Sequence, residues 1–129
     1  MARVLLVEDE FTVLILAESV VQGLGHSTYS AVSVVQALAL LDDPGEIDLL
    51  FTDIRLPEGD LGGFEVAEQA RRKNPNLKVL YTTGDTSTDG MKVMFVAGGE
   101  MLPKPYTAPE LAAAIARYFR TSSAGLLEH

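Results

Sequence analysis

The chain predicts a doubly wound α/β fold: a five-stranded parallel sheet with helices on both faces. Three observations predict it. Apolar runs of strand length alternate with longer segments of helical period, five times over. The first of these runs is almost continuously apolar, as a strand buried on both faces must be. Parallel neighbours need long right-handed crossovers, and the helical segments between the runs supply them. At 129 residues the chain makes one domain, long enough to bury a core without disulfide or metal staples.

Arg3–Val7 (RVLLV) is the first strand. Phe11–Leu24 follows as a helix, with Val13, Leu16, Ala17, Val20 and Leu24 at helical spacing and Gly25 as its stop. Ser27–Ala31 is a short second strand, and Ser33 with Gln36 makes a capping box that opens a helix through Leu41. Asp42-Asp43-Pro44-Gly45 is a turn. Asp48–Thr52 is the third strand, followed by a loop rich in Pro and Gly, Arg55–Gly63. A helix over Phe64–Lys73 ends at Asn74-Pro75, and Lys78–Thr82 is the fourth strand. Thr86–Ala97 reads as a weak helix, because Gly90 and several β-branched residues lower its propensity. Gly99–Leu102 is the fifth strand. Thr107 and Glu110 then cap a last helix whose stripe is Leu111, Ala114, Ile115, Tyr118 and Phe119.

Ten basic residues against eighteen acidic ones give a net charge of −8. That charge disfavours nucleic acid and anionic membrane surfaces as partners. No cysteine is present, which excludes disulfides, thiolate metal sites and cysteine nucleophiles. No apolar run approaches the ~20 residues of a membrane span, and no signal-peptide pattern opens the chain, so the cytoplasm is expected. Residues 1–121 are read as the domain and 122–129 as a tail, with Leu127-Glu128-His129 resembling a purification-tag remnant.

Chemistry in such sheets lies beyond the carboxyl ends of the strands. The first strand ends in Val7-Glu8-Asp9-Glu10, the third in Thr52-Asp53, the fourth in Thr82-Thr83-Gly84 and the fifth runs into Lys104-Pro105. Clustered carboxylates raise one another's pKa unless a cation joins them. Mg²⁺ (or Mn²⁺) suits a few carboxylates, waters and a phosphate. A carboxylate beside such an ion can attack phosphorus and form an aspartyl phosphate.

VLLVEDE, FTDIRLP, TTG and KPY, in this order and spacing, resemble a bacterial response-regulator receiver domain from Arg3 to about Arg120. The resemblance implies a flavodoxin-like sheet of order 2-1-3-4-5, which agrees with the pattern. It implies that Asp53 accepts the phosphoryl group, and that Asp9 and Asp53 bind the metal. Glu8 would act mainly through a metal-bound water, and Arg55 through its backbone carbonyl. Thr83 would hydrogen-bond one phosphoryl oxygen and Lys104 would pair with another, with a cis Lys104-Pro105 peptide. The implied partner is a sensor histidine kinase or a histidine phosphotransfer protein. A monomer or a weak phosphorylation-dependent dimer is implied, signalling through the face built by the fourth helix, fifth strand and last helix. Such a chain is an acceptor and not a turnover enzyme, and this one is expected not to bind DNA.

Three features depart from the family pattern. The loop Glu58-Gly59-Asp60-Leu61-Gly62 is longer than usual, so a reshaped or mobile loop is expected. Met101 stands where a switch aromatic is usual, three before Lys104, and Gly84 follows the threonine where alanine is commoner. The Tyr81-Thr82-Thr83-Gly84 pattern resembles a receiver subgroup with a threonine–glycine step and no switch aromatic. The response is therefore expected to act on Gly84–Ala97, with Met101 following rather than gating it.

Each site residue also has a plainer reading. Glu8–Glu10 suits a helix N-terminus, Asp53 a turn, Thr83 a helix cap and Lys104 a solvated surface. Met101 reads as half-buried packing. Tyr81 and Tyr106 read as core edges, Tyr118 and Phe119 as core, and His26 as structural. Rival functions are a pseudo-receiver scaffold, a phosphatase of the aspartyl-phosphate type, and a flavodoxin-like cofactor binder. The phosphatase would want a second acid where Arg55 stands and room for a cap domain. The cofactor binder would want a phosphate-cradling loop where Glu8-Asp9-Glu10-Phe11 stands. The chain reads as either a stand-alone receiver or the N-terminal receiver of a longer protein.

Overall fold

A computed structural model describes residues 2–42, 46–84 and 91–127. Five strands, β1 (Arg3–Val7), β2 (Ser27–Ala31), β3 (Leu49–Asp53), β4 (Lys78–Thr83) and β5 (Glu100–Pro103), form one sheet of order β2-β1-β3-β4-β5. Every neighbouring pair is parallel. The predicted sheet and its order are those observed.

Alternation along the strands divides the core into two layers. Val4, Leu6, Leu49, Phe51 and Leu80 face α1 (Phe11–Gly23) and α4 (Ala108–Leu127). Leu5, Val7, Leu50, Val79 and Tyr81 face α2 (Val34–Asp42) and α3 (Gly62–Lys73). Period-2 alternation thus buries both faces of each inner strand, which is why β3 is buried throughout.

Local signals account for the helix ends. Thr107 and Glu110 form the reciprocal box expected of them. The Thr107 N–H donates to Glu110 at 2.8 Å, and the Glu110 N–H to Thr107 Oγ1 at 3.2 Å. Ser33 Oγ accepts from the Gln36 N–H, but the Gln36 side chain accepts from Val32 rather than Ser33, so that box is shifted by one residue. Asn74 closes α3: its amide donates to the Ile47 carbonyl and its oxygen accepts from the Asn76 N–H. His26 is structural, accepting the Ala2 N–H on Nδ1 with its ring 4.7 Å from that of Phe119. Tyr118 is core, and its hydroxyl donates to the Val79 carbonyl at 2.7 Å.

The weak helix read over Thr86–Ala97 needs correction. Its first part, Thr86–Gly90, lies outside the described residues. The rest holds a single 3₁₀ turn, Met91–Met94, followed by a turn in which Gly98 has φ +77°. The Val96 N–H donates to the Tyr81 hydroxyl at 3.1 Å, which takes it out of any helical ladder. The Phe95 ring stacks on Tyr81 at 4.4 Å, so side-chain packing on β4 sets the path of this segment.

Candidate functional site

The sheet order places the ends of β1, β3, β4 and β5 around one cleft of about 720 Å³. Asp9, Asp53, Arg55, Thr83, Gly84 and Lys104 all line it. β3 carries Asp53 to its last position, where the residue is only 5% exposed although it lines the cleft. Glu8, also 5% exposed, follows β1 directly, and its N–H is held by the Ala31 carbonyl at the end of β2. Thr83 closes β4 and is buried, and its carbonyl accepts the Lys104 N–H at 3.0 Å. That bond fixes Lys104 beside the acids, and the Lys104–Pro105 peptide is cis.

The Lys104 ammonium lies 2.7 Å from Glu8 Oε1 and 2.9 Å from Asp53 Oδ2. Glu10 stands farther off, 3.7 Å from the same nitrogen. One lysine therefore balances two buried carboxylates, which leaves the cluster net negative. Burial, the strongest cause, pushes the Glu8 carboxyl up to about 7, and the nearby Asp53 adds to it against the opposing pull of Lys104. Asp53 is raised as well, again chiefly by burial. The two acids hold Lys104 well above its usual value in spite of desolvation.

Carboxylate oxygens of Glu8, Asp9 and Asp53 lie within 4.8 Å of one another, close enough to share a cation. Glu8 Oε1 is buried against the Lys104 ammonium at 2.7 Å, while Glu8 Oε2 accepts the Glu10 N–H at 3.1 Å. With one ammonium between two buried carboxylates and Asp9 beside them, an added divalent cation would offset the remaining negative charge. The donor set is all oxygen, which fits a hard divalent ion.

Tyr106 is half-buried against Phe51, and burial followed by Glu8 pushes its hydroxyl up to about 12. Met101 is the β5 partner of Tyr81 and packs against the α2–α3 layer as a half-buried side chain. Two groups go beyond their sequence reading: Tyr81, read as a core edge, and Glu58, read only as part of a longer loop. Tyr81 is fully buried among Phe64 and Phe95. Glu58, in the longer loop, reaches α2. Its carboxylate accepts the Val34 and Val35 N–H groups, a contact with no local spacing to reveal it.

The profile of the response regulator receiver domain family matches residues 4–116. The sensor kinase CckA of Brucella abortus (strain 2308) is 31% identical over 117 residues, which are 88% of this chain and 12% of that protein. The aerobic respiration control sensor protein ArcB of Escherichia coli (strain K12) is 31% identical over 122 residues, 92% of this chain and 15% of that one. The chain thus spans a small fraction of these relatives. The crystal structure of a response regulator receiver protein from Sinorhizobium medicae WSM419 superposes with a TM-score of 0.81 at 28% identity, covering 90% of this chain and 92% of that one. Among the described residues no helix is long and apolar enough to cross a membrane. With its sheet order, its acid-lined strand ends and this match, the chain belongs to the response regulator receiver domain family, a signalling module of two-component systems.

Proposed function

We propose that Asp53 accepts a phosphoryl group from a phosphohistidine and that the modified cleft reports to a protein partner. The observation that carries this reading is the convergence of Glu8, Asp9, Asp53, Thr83 and Lys104 on one sheet edge, with Lys104 bridging Glu8 and Asp53. An Asp53 oxygen attacks phosphorus, the P–N bond breaks, and its electron pair stays on the imidazole nitrogen. Lys104 pairs with a transferred oxygen, and the Thr83 hydroxyl donates to another. Glu8, Asp9, Asp53 and the Arg55 carbonyl would hold Mg²⁺ (or Mn²⁺), which when bound neutralises charge on the phosphoryl oxygens. The resemblance to sensor kinases supports a sensor histidine kinase or a histidine phosphotransfer protein as donor. The output surface is the side formed by residues 91–97, β5 and α4, where Met101 offers no ring to swing.

Intact-protein mass spectrometry tests the acceptor. With Mg²⁺ and a small phosphodonor, wild type should gain one acid-stable, base-labile phosphoryl group and Asp53→Asn none. Equal labelling of the two would remove Asp53 from its role. Chelation of the metal should bring wild-type labelling to background.

Thermal melts of the protein without phosphodonor test the metal site. Mg²⁺ at millimolar concentration should raise the melting temperature by mass action on the folded state. Asp9→Asn should raise stability in the absence of metal and shrink the Mg²⁺ response, because one clustered charge is gone. An unchanged Mg²⁺ response in that variant would place the ion elsewhere.

A further inference from the structure

The β3–α3 connection is folded as a miniature hairpin. Leu56 and Gly59 exchange both backbone hydrogen bonds, at 3.1 and 2.9 Å, which leaves Pro57 and Glu58 as the tip. Arg55 and Asp60 stand one step outside that pair and form an ion pair at 3.4 Å across the hairpin base. The base belongs to the acceptor cleft, since Arg55 and Asp60 line it together with Asp53.

The tip belongs to α2. Glu58 Oε1 accepts the Val34 N–H at 3.0 Å and Oε2 the Val35 N–H at 3.2 Å. These bonds hold the exposed Glu58 carboxyl below the usual carboxylate range. The first N–H groups of a helix have no partner inside it. In α2, Ser33 satisfies those of Gln36 and Ala37, through its hydroxyl and its carbonyl. Those of Val34 and Val35 depend on a residue more than twenty positions away. The contact is more than a surface coincidence, because Gly62 packs tightly on both Val34 and Leu56: an ideal Cβ there would lie 2.9 Å from Val34 Cγ2 and 3.1 Å from Leu56 Cβ.

We propose that this hairpin couples the acceptor cleft to α2: an anion seated on Asp53 draws the Arg55 guanidinium off Asp60, loosens the hairpin base and withdraws the Glu58 cap. The inference rests on the acceptor reading above. A phosphoryl group brings close to two negative charges into the cleft, against one on Asp60. The Arg55–Asp60 pair is solvent-exposed on both sides, so it is weak and readily exchanged. Losing Glu58 leaves the first turn of α2 to water. That turn carries the exposed Val35, and exposed Val32 precedes it. Phosphorylation therefore changes a second surface, on the α2–α3 side of the sheet. Linkage makes the effect reciprocal: a partner that holds the first turn of α2 in its capped form disfavours the phosphorylated state.

Amide hydrogen exchange of the full chain, read by NMR at Val34 and Val35, tests the coupling. Without phosphodonor, Glu58→Ala should speed exchange at both amides by about tenfold, as loss of a charge-assisted bond predicts, while amides of β3 and β4 stay protected. Asp60→Ala should speed the same two amides, by a smaller factor, with Glu58 intact. With Mg²⁺ and a small phosphodonor, wild type should move toward the Glu58→Ala rates. Exchange at Val34 and Val35 that ignores Glu58, or that ignores Asp60, would overturn the proposal. So would unchanged wild-type exchange in a sample whose mass shows the phosphoryl group. If the mass shows no phosphoryl group, the acceptor reading fails, and the Asp60→Ala arm still decides whether base and tip are linked.

Discussion

Replacing Gly63 by alanine is expected to destabilise the protein by roughly 3 kcal/mol, the upper end of the usual cost of overpacking. An ideal Cβ at Gly63 would lie 2.2 Å from the Asp53 carbonyl oxygen and 2.7 Å from Ile54 Cα. Both obstacles are backbone of the buried strand end, so no side chain can swing away. Either α3 must back off the sheet, breaking the 2.8 Å bond from the Gly63 N–H to the Ile54 carbonyl, or the end of β3 must bend. Bending β3 moves Asp53 itself. For a domain of this size the loss corresponds to a fall of roughly 10 °C in melting temperature. Gly59→Ala is the control, because nothing lies within 4 Å of its ideal Cβ. Urea unfolding of both variants checks the contrast. A Gly63→Ala protein as stable as the Gly59→Ala protein would mean that the junction of β3 and α3 is looser than its contacts.

Much of this architecture was legible because it follows from periodicity. β1 and β2 have the limits read from the sequence, and β3, β4 and β5 end one residue later than read. Each late ending falls where a polar residue or Pro continues an apolar run, and pairing with a neighbouring strand, absent from the sequence, carries the ladder on. Asp53 pairs with Thr82 and Pro103 with Thr83 in this way. The segment before β5 was misread because its helical period competes with tertiary packing. Phe95 stacks on Tyr81 and Val96 bonds to its hydroxyl, and both contacts span more than ten residues of sequence.

The cleft was legible for a related reason. In a parallel sheet every strand delivers its carboxyl end to the same edge, so acids at several strand ends must meet once the sheet forms. The hairpin at Leu56–Gly59 was not legible in that way. The extra loop length and the Pro-Glu-Gly run announce a turn, but the use of its tip depends on the separation of α2 and α3. Nothing local in Ser33–Gln36 shows that its free N–H groups are filled by Glu58.

Lys104→Met should cost about 3 kcal/mol near pH 8, the low end of the range for breaking a buried ion pair. The substitution keeps most of the apolar stem and removes the ammonium that touches both Glu8 and Asp53. Glu8 faces Asp53, Glu10 and the Tyr106 hydroxyl besides Lys104, and Tyr106 stays neutral over the relevant range. The Glu8 carboxyl is already raised from 4.5 to about 7 with Lys104 in place, and without the lysine it must rise further. An acid whose pKa is raised by folding binds more protons in the folded state between its two values. Stability therefore falls as pH climbs through that window, and falls more steeply and to higher pH in the variant. Acidification to about pH 5.5 should recover most of the loss, since proton uptake then replaces the missing ammonium. Mg²⁺ should recover it at high pH, by a larger margin than in wild type, because a divalent ion relieves the same repulsion. Chemical denaturation across this pH range, with and without Mg²⁺, reads both effects. A variant that tracks wild type at every pH would show that solvent, not Lys104, balances the charge of the acid pair.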